Sequence, residues 1–207
     1  MRNWIQLGLY ILGVLSVFLS GCSAAPADET PFPELIPTAT VLTGGDPLGD
    51  NRFEGIDVIY QWAVEAEGSS EFSIPEWSSE QAVGEPDSPG CGDYQFAWAS
   101  AASDSVDTLI LTFPELVYPL EIIIYESFNP DQVTKVEVQD PERQSYYTVL
   151  QKNPVQVSRP CPYELIVPIE GIAFRVNTVR ITVDQSQLGL GWNEIDAVQL
   201  IGTMGED

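Results

Sequence analysis

From about Ile56 onward, apolar positions recur in short runs with the two-residue period of half-buried strands, and turn residues punctuate them. The runs are Val106–Phe113, Leu120–Tyr125, Val133–Val138, Tyr146–Leu150, Leu165–Ile169, Val179–Val183 and Ile195–Ile201, each rich in β-branched and aromatic residues. Lys135, Glu137 and Gln139 fall on one face of their run, with Val136 and Val138 on the other, as expected of an antiparallel strand with one face in the core. Asn129-Pro130-Asp131 reads as a turn between two strands. No amphipathic segment reaches helix length, and Ser79–Val83 is at most one short turn. About seven to nine short strands without crossover helices predict an all-β, antiparallel β-sandwich of jelly-roll type. Trp62, Trp98 and Tyr125 lie in strand-like runs and are expected in its core.

Ahead of the strands the pattern changes twice. Residues 22–55 have no usable period and contain Pro26, Pro31, Pro33, Pro37 and Gly44-Gly45-Asp46-Pro47, the composition of a flexible tether. Asp46, Asp50, Asn51 and Glu54 lack EF-hand spacing and read as linker carboxylates. Residues 1–21 hold Arg2, an almost wholly apolar run from Trp4 to Phe18, and then small residues, the order of a secretory signal. The run is short of the roughly 20 residues of a transmembrane helix. Leu19-Ser20-Gly21-Cys22 resembles the lipobox of bacterial lipoproteins. It implies cleavage before Cys22 and a diacylglycerol on its thiol, so that the domain at 56–204 is held at the membrane outside the cytoplasm, in the cell envelope.

Charge and missing residue types narrow the chemistry. The 31 acids against 8 bases give a formal net charge of −23, which repels nucleic acid. Histidine is absent, which excludes Ser-His-Asp and Cys-His nucleophilic sites and the usual histidine-containing zinc sites. With Cys22 lipidated, Cys91 and Cys161 remain; in an exported domain they read as one disulfide, against the alternative of two free thiols. The many carboxylates single out no pair with glycosidase spacing, and the domain is read as non-catalytic.

The run Trp77–Asp87, then Cys91-Gly92-Asp93, Ala97-Trp98-Ala99, Ile122–Glu126, Asn129-Pro130, Val133–Val138 and Trp192–Val198 resembles the galactose-binding-like, or discoidin-like, superfamily, in the version found in bacterial surface proteins and near pappalysin-type modules. The resemblance spans about residues 60 to 203 and implies a jelly-roll sandwich. That fold carries sugar binders, lipid binders, adhesion modules and purely structural domains. It also implies a structural calcium between the acidic loop and the last strand, at Asp87 and Glu194, with loop carbonyls completing the shell. Pro86–Gly90 reads equally as a plain turn, and Ser88 and Pro89 depart from the common Asp-Gly form.

Trp77, Tyr94, Phe128 and Trp192 sit in or beside loops, where they either stack on a sugar ring or pack against the sandwich ends. Arg159 either grips a ligand carboxylate or pairs with a neighbouring acid. Two functions remain open: carbohydrate binding, and a protein-interaction or scaffold role in an envelope complex. A concave aromatic-floored site favours the first, and a broad apolar patch the second.

Overall fold

A computed structural model describes residues 53–205; the export segment, Cys22 and the tether up to residue 52 lie outside the described residues. Eight strands follow in chain order: β1 (Ile59–Trp62), β2 (Glu65–Gly68), β3 (Val106–Phe128), β4 (Val133–Asp140), β5 (Ser145–Gln151), β6 (Tyr163–Pro168), β7 (Val176–Asp184) and β8 (Glu194–Thr203). Every pairing is antiparallel. The only helical turn among the described residues is a 3-10 turn at Ser79–Ala82.

Two of the expected strands are one. Val106–Phe113 and Leu120–Tyr125 belong to the 23-residue β3. Its first half pairs with β2 and β7, its second half with β8 and β6. Pro114 does not stop it, because it falls where pairing to β7 lapses, between Thr112 and Val117, and no ladder N–H is required there. β3 therefore bends from one layer into the other. One sheet is ordered β1-β8-β3-β6, the other β2-β3-β7-β4-β5.

The core lies between the layers. Leu109, Leu111 and Phe113 of β3, Val136 and Val138 of β4, and Val179, Ile181 and Val183 of β7 meet Ile122 and Ile124 of β3 and Ile195, Val198 and Leu200 of β8, all buried. Trp98 joins them, bridged to Ile195 by backbone hydrogen bonds in both directions. Trp62 and Tyr125 do not. They sit half-buried on the outer face of the β1-β8-β3-β6 sheet, ring centroids 5.5 Å apart, beside a second apolar cluster of Val58, Tyr60, Ile123 and Ile201. β8 is thus covered on both faces, which is why its apolar residues do not alternate cleanly. β2 escapes the sequence pattern because it is only four residues long and Glu65-Ala66-Glu67-Gly68 is mostly polar.

β8 passes so close to the β3 bend that only glycine fits at one point. A Cβ on Gly202 would stand 2.5 Å from Val117 Cγ2 and 2.6 Å from the Tyr118 carbonyl oxygen. Because one obstacle is backbone, the clash cannot be relieved by a rotamer change. Gly202→Ala is expected to destabilise the domain by about 1–3 kcal/mol, read as a lower urea midpoint with an unchanged m-value. An unaltered midpoint would refute this packing of the bend.

Candidate functional site

Because β3 runs down one layer and back up the other, both its ends emerge at the same end of the sandwich: Val106 pairs with Asp184 and Phe128 with Glu194. The connections at 69–105, 129–132, 152–162 and 185–193 gather there. Cys91 and Cys161 are bonded, Cα atoms 6.0 Å apart, and tie the first of these loops to the third. The closed loop spans 70 residues of sequence, for which the chain-entropy model gives on the order of 4 kcal/mol. Backbone bonds add to this: Gly92 N–H donates to the Ser127 carbonyl at 2.8 Å.

A carboxylate clamp holds the acidic loop to β8. The Tyr94 amide donates to Glu194 Oε2 at 3.0 Å, and the Ser127 hydroxyl to the same oxygen at 3.2 Å. The Ser88 hydroxyl donates to Asp196 Oδ1 at 2.8 Å, with its amide at 3.2 Å. Burial, with Asp93 alongside, pushes Glu194 up to about 7; burial raises Asp196 too, and Asp87 adds to it. Asp87 therefore faces Asp196, and Asp93 faces Glu194. Each of the two expected residues thus has a second carboxylate nearby.

The carboxylates at the expected calcium position are engaged by hydrogen bonds. The ion needs six to eight oxygens, whereas the groups turned toward Glu194 and Asp196 are amide and hydroxyl hydrogens. The loop is held by hydrogen bonds and the disulfide.

Beside the clamp lies a pocket of about 280 Å³, whose walls include Phe128, Asn129, Asp131, Arg159, Tyr163 and Leu190. Arg159 forms part of it, its side chain only 12% exposed. It contacts Glu126 Oε2 at 3.2 Å and Asp131 Oδ1 at 2.5 Å, and donates to the Glu164 carbonyl at 3.0 Å. The neighbouring-acid reading of Arg159 is thereby met, at a position that also faces the pocket. Glu126 is fully buried and rises to about 7, Arg159 and the Asn193 amide (2.8 Å) only partly offsetting its loss of water. Asn129 and Asp131 carry φ of 42° and 79°, left-handed backbone that non-glycine residues avoid. The Asn129 side-chain amide holds the opposite wall through the Leu190 and Trp192 carbonyls, at 2.8 and 3.0 Å. Strain of this kind concentrates at ligand sites.

Four of the expected ligand-binding aromatics divide by role. Phe128 lines the pocket. Tyr94 uses its amide in the clamp and lays its ring over Gly92, where a Cβ would come within 3.1 Å. Trp77 and Trp192 do not stack on one another. Each meets Phe72 edge-on at 5.4 Å, and Trp192 anchors its indole N–H on the Ser100 carbonyl at 3.0 Å. Phe72 is the member that sequence reading missed. It sits in Ser-Ser-Glu-Phe-Ser-Ile-Pro, with no period to mark it; the structure leaves it 49% exposed on two indoles.

The family model described as Pappalysin-1, SD scarf domain, C-terminal, matches residues 54–207. The chain belongs to this family. Its scarf domain also aligns with chitosan-binding module 1 of a chitosanase/glucanase from Paenibacillus sp. IK-5 at 11% identity. That match covers 66% of this chain and 92% of the module, with a TM-score of 0.50. A selenomethionine-labelled mutant of the same module gives 11%, 67%, 93% and 0.51. The family 32 CBM from C. perfringens NanJ, in complex with galactose, is 12% identical over 69% of this chain and 99% of that one, with a TM-score of 0.46. No curated protein matches. The fold of the scarf domain is the galactose-binding-like β-sandwich that the motifs implied.

The clamp makes the scarf domain's stability depend on pH. Glu126 and Glu194 titrate higher in the folded domain than as ordinary glutamates, so the native state holds more protons between about pH 4.5 and 7. The stabilisation is fully present below the unfolded value and is lost as pH rises through the folded one. Melting temperature is expected to fall by several degrees from pH 5 to pH 8. Glu194→Gln, which fixes the protonated shape, should flatten part of that fall, and millimolar calcium in place of chelator should not move either curve. A rise with calcium that Glu194→Gln abolishes would reinstate the metal; a pH-independent melting curve would refute the clamp.

Proposed function

We infer that the chain is a lipid-anchored extracytoplasmic protein whose scarf domain binds carbohydrate, without catalysis, in the pocket at the loop end. The observation that carries this reading is the concavity itself. It is close to the roughly 300 Å³ at which small-molecule sites begin, is bordered by the Phe128 and Tyr163 rings, and carries the polar groups of Asn129, Asp131, Gln156, Ser158 and Arg159. Apolar ring faces beside paired donors and acceptors are what a pyranose, with its C–H faces and equatorial hydroxyls, requires. The Paenibacillus module of the same fold is named for chitosan binding, which adds support. Catalysis is disfavoured because the three carboxyls with raised titration, Glu126, Glu194 and Asp196, are only 2%, 2% and 6% exposed, and a glycosidase needs its pair facing the bond to be cut.

The test is a glycan array probed with the full chain, followed by titration of the best hit. Phe128→Ala and Arg159→Lys should each weaken retention about tenfold, corresponding to roughly 1.4 kcal/mol. Retention of no glycan, or equal retention by both variants, would remove the sugar reading.

Anchoring rests on Leu19-Ser20-Gly21-Cys22. Cys22→Ala is expected to abolish incorporation of a fatty-acid probe and to leave the precursor uncleaved. Normal labelling of that variant would refute the lipoprotein assignment.

A further inference from the structure

The sugar pocket uses only part of the loop end. The 69–105 connection carries a separate surface on which Ile74 is 78% exposed, Phe72 49% and Phe96 41%. Backbone bonds gather this surface: the Phe72 amide donates to the Ala99 carbonyl at 2.8 Å and the Trp77 amide to the Gln95 carbonyl at 3.1 Å. Trp77 and Trp192 support Phe72 from beneath. Apolar side chains held out in this way are not loop slack. Phe72 is braced by two indoles, and Trp77 takes a φ of 56° to be one of them.

The charge around this surface is one-sided. Between Arg52 and Lys135 the chain has no lysine, arginine or histidine. The 69–105 connection alone has seven carboxylates, of which all but Glu71 are exposed, Glu76 and Glu80 among them. The ion pairs among the described residues are made by Lys135, Arg143, Arg159 and Arg180, to acids outside this connection. Within this stretch of sequence the acids are not interspersed with bases.

We propose that the surface formed by Phe72, Ile74 and Phe96 docks an arginine- or lysine-bearing protein segment. The cations lie over the exposed Phe rings and against Glu76 and Glu80, and the aliphatic stems pack on Ile74. An exposed ring beside carboxylates attracts guanidinium through both its quadrupole and the neighbouring charge. Ile74 decides for a protein partner over a sugar: a β-branched aliphatic offers no flat face to a pyranose but packs well on side-chain methylenes. This surface shares no lining residue with the sugar pocket, so the two proposals stand or fall separately.

The experiment titrates the full-length chain in detergent micelles with a labelled peptide of alternating arginine and glycine at physiological salt, with a glutamate-glycine peptide as control. Phe72→Ala, which leaves net charge unchanged, should raise Kd about 5- to 10-fold. Ile74→Ser, at an exposed position that cannot upset the core, should weaken binding in the same direction. Glu76→Gln with Glu80→Gln should weaken it and flatten its salt dependence, while Glu115→Gln with Glu170→Gln at the far end should change neither. Binding of the arginine peptide that is indifferent to Phe72 and Ile74 would overturn the proposal by reducing it to bulk attraction. A glucosamine oligomer that binds through Phe72 where the peptide does not would overturn it in favour of a polysaccharide. Phe128→Ala and Arg159→Lys should leave peptide binding intact, which separates this result from any failure of the sugar site.

Discussion

Everything at the loop end depends on β3 turning from one layer to the other. A strand confined to one sheet would leave its two ends at opposite poles of the sandwich. By bending at 113–120, β3 brings both Val106 and Phe128 to the same pole and serves each sheet as a central strand. The requirement falls on a few places: a gap in the β7 ladder where proline is tolerated, and Gly202, which lets β8 approach the bend. The four loops at the working end inherit their proximity from that bend.

Proximity alone does not give a loop a shape. The 69–105 connection has one helical turn, scattered backbone hydrogen bonds, three prolines and three glycines, so much of its order comes from side chains. The disulfide fixes one point, and Glu194 and Asp196 on β8 receive amides and hydroxyls at two more. At its other side the Asp107 carboxylate accepts the Ser69 and Ser70 hydroxyls at 2.8 and 2.6 Å, along with that of Ser105, and is held below the usual aspartate range by those bonds despite its burial. Carboxylates in this domain thus hold loops in place as hydrogen-bond acceptors. The excess of acid is spent partly inside, as hydrogen-bond acceptors for loops, and partly outside, where it faces solvent beside aromatic rings.

The same economy governs the few cations. Arg180 bonds Glu137 at 2.8 Å and lies 3.7 Å from the Tyr146 ring centroid on the outer face of the β4-β7 pair; Arg143 closes the β4-β5 turn on Asp140. Arg159 enters the loop end with Lys152 nearby, and joins Glu126 of β3 to Asp131 of the strained turn. It thereby sets the wall of the pocket and neutralises the acids beneath it. Removing its charge would leave two buried carboxylates facing one another, so the residue is structural before it is a ligand contact.

How much of this was written along the chain follows from the range of each interaction. Strand character is local: alternation at 133–138 and the apolar run at 195–201 reflect which face of a residue's own strand is covered, and both were legible. The cysteine pair was legible because the strand-rich part of the chain holds two thiols, which leave one pairing. Pro114 hid the unity of β3, since whether a proline ends a strand depends on whether a neighbour needs its N–H, a fact held by β7. Trp62 and Tyr125 looked like core residues because periodicity tells that a face is covered, not which of two faces of a sheet is the inner one. The approach of the acidic loop to Glu194 and Asp196, and the contact of Phe72 with Trp192, bring together residues about 100 or more positions apart. Sequence determined the strands, the charge and the sulfur chemistry, because these are properties of single residues and their immediate neighbours. Tertiary structure alone decided which carboxylate met which amide and which ring faced solvent, because those choices are made by distant segments arriving at one end of the sandwich.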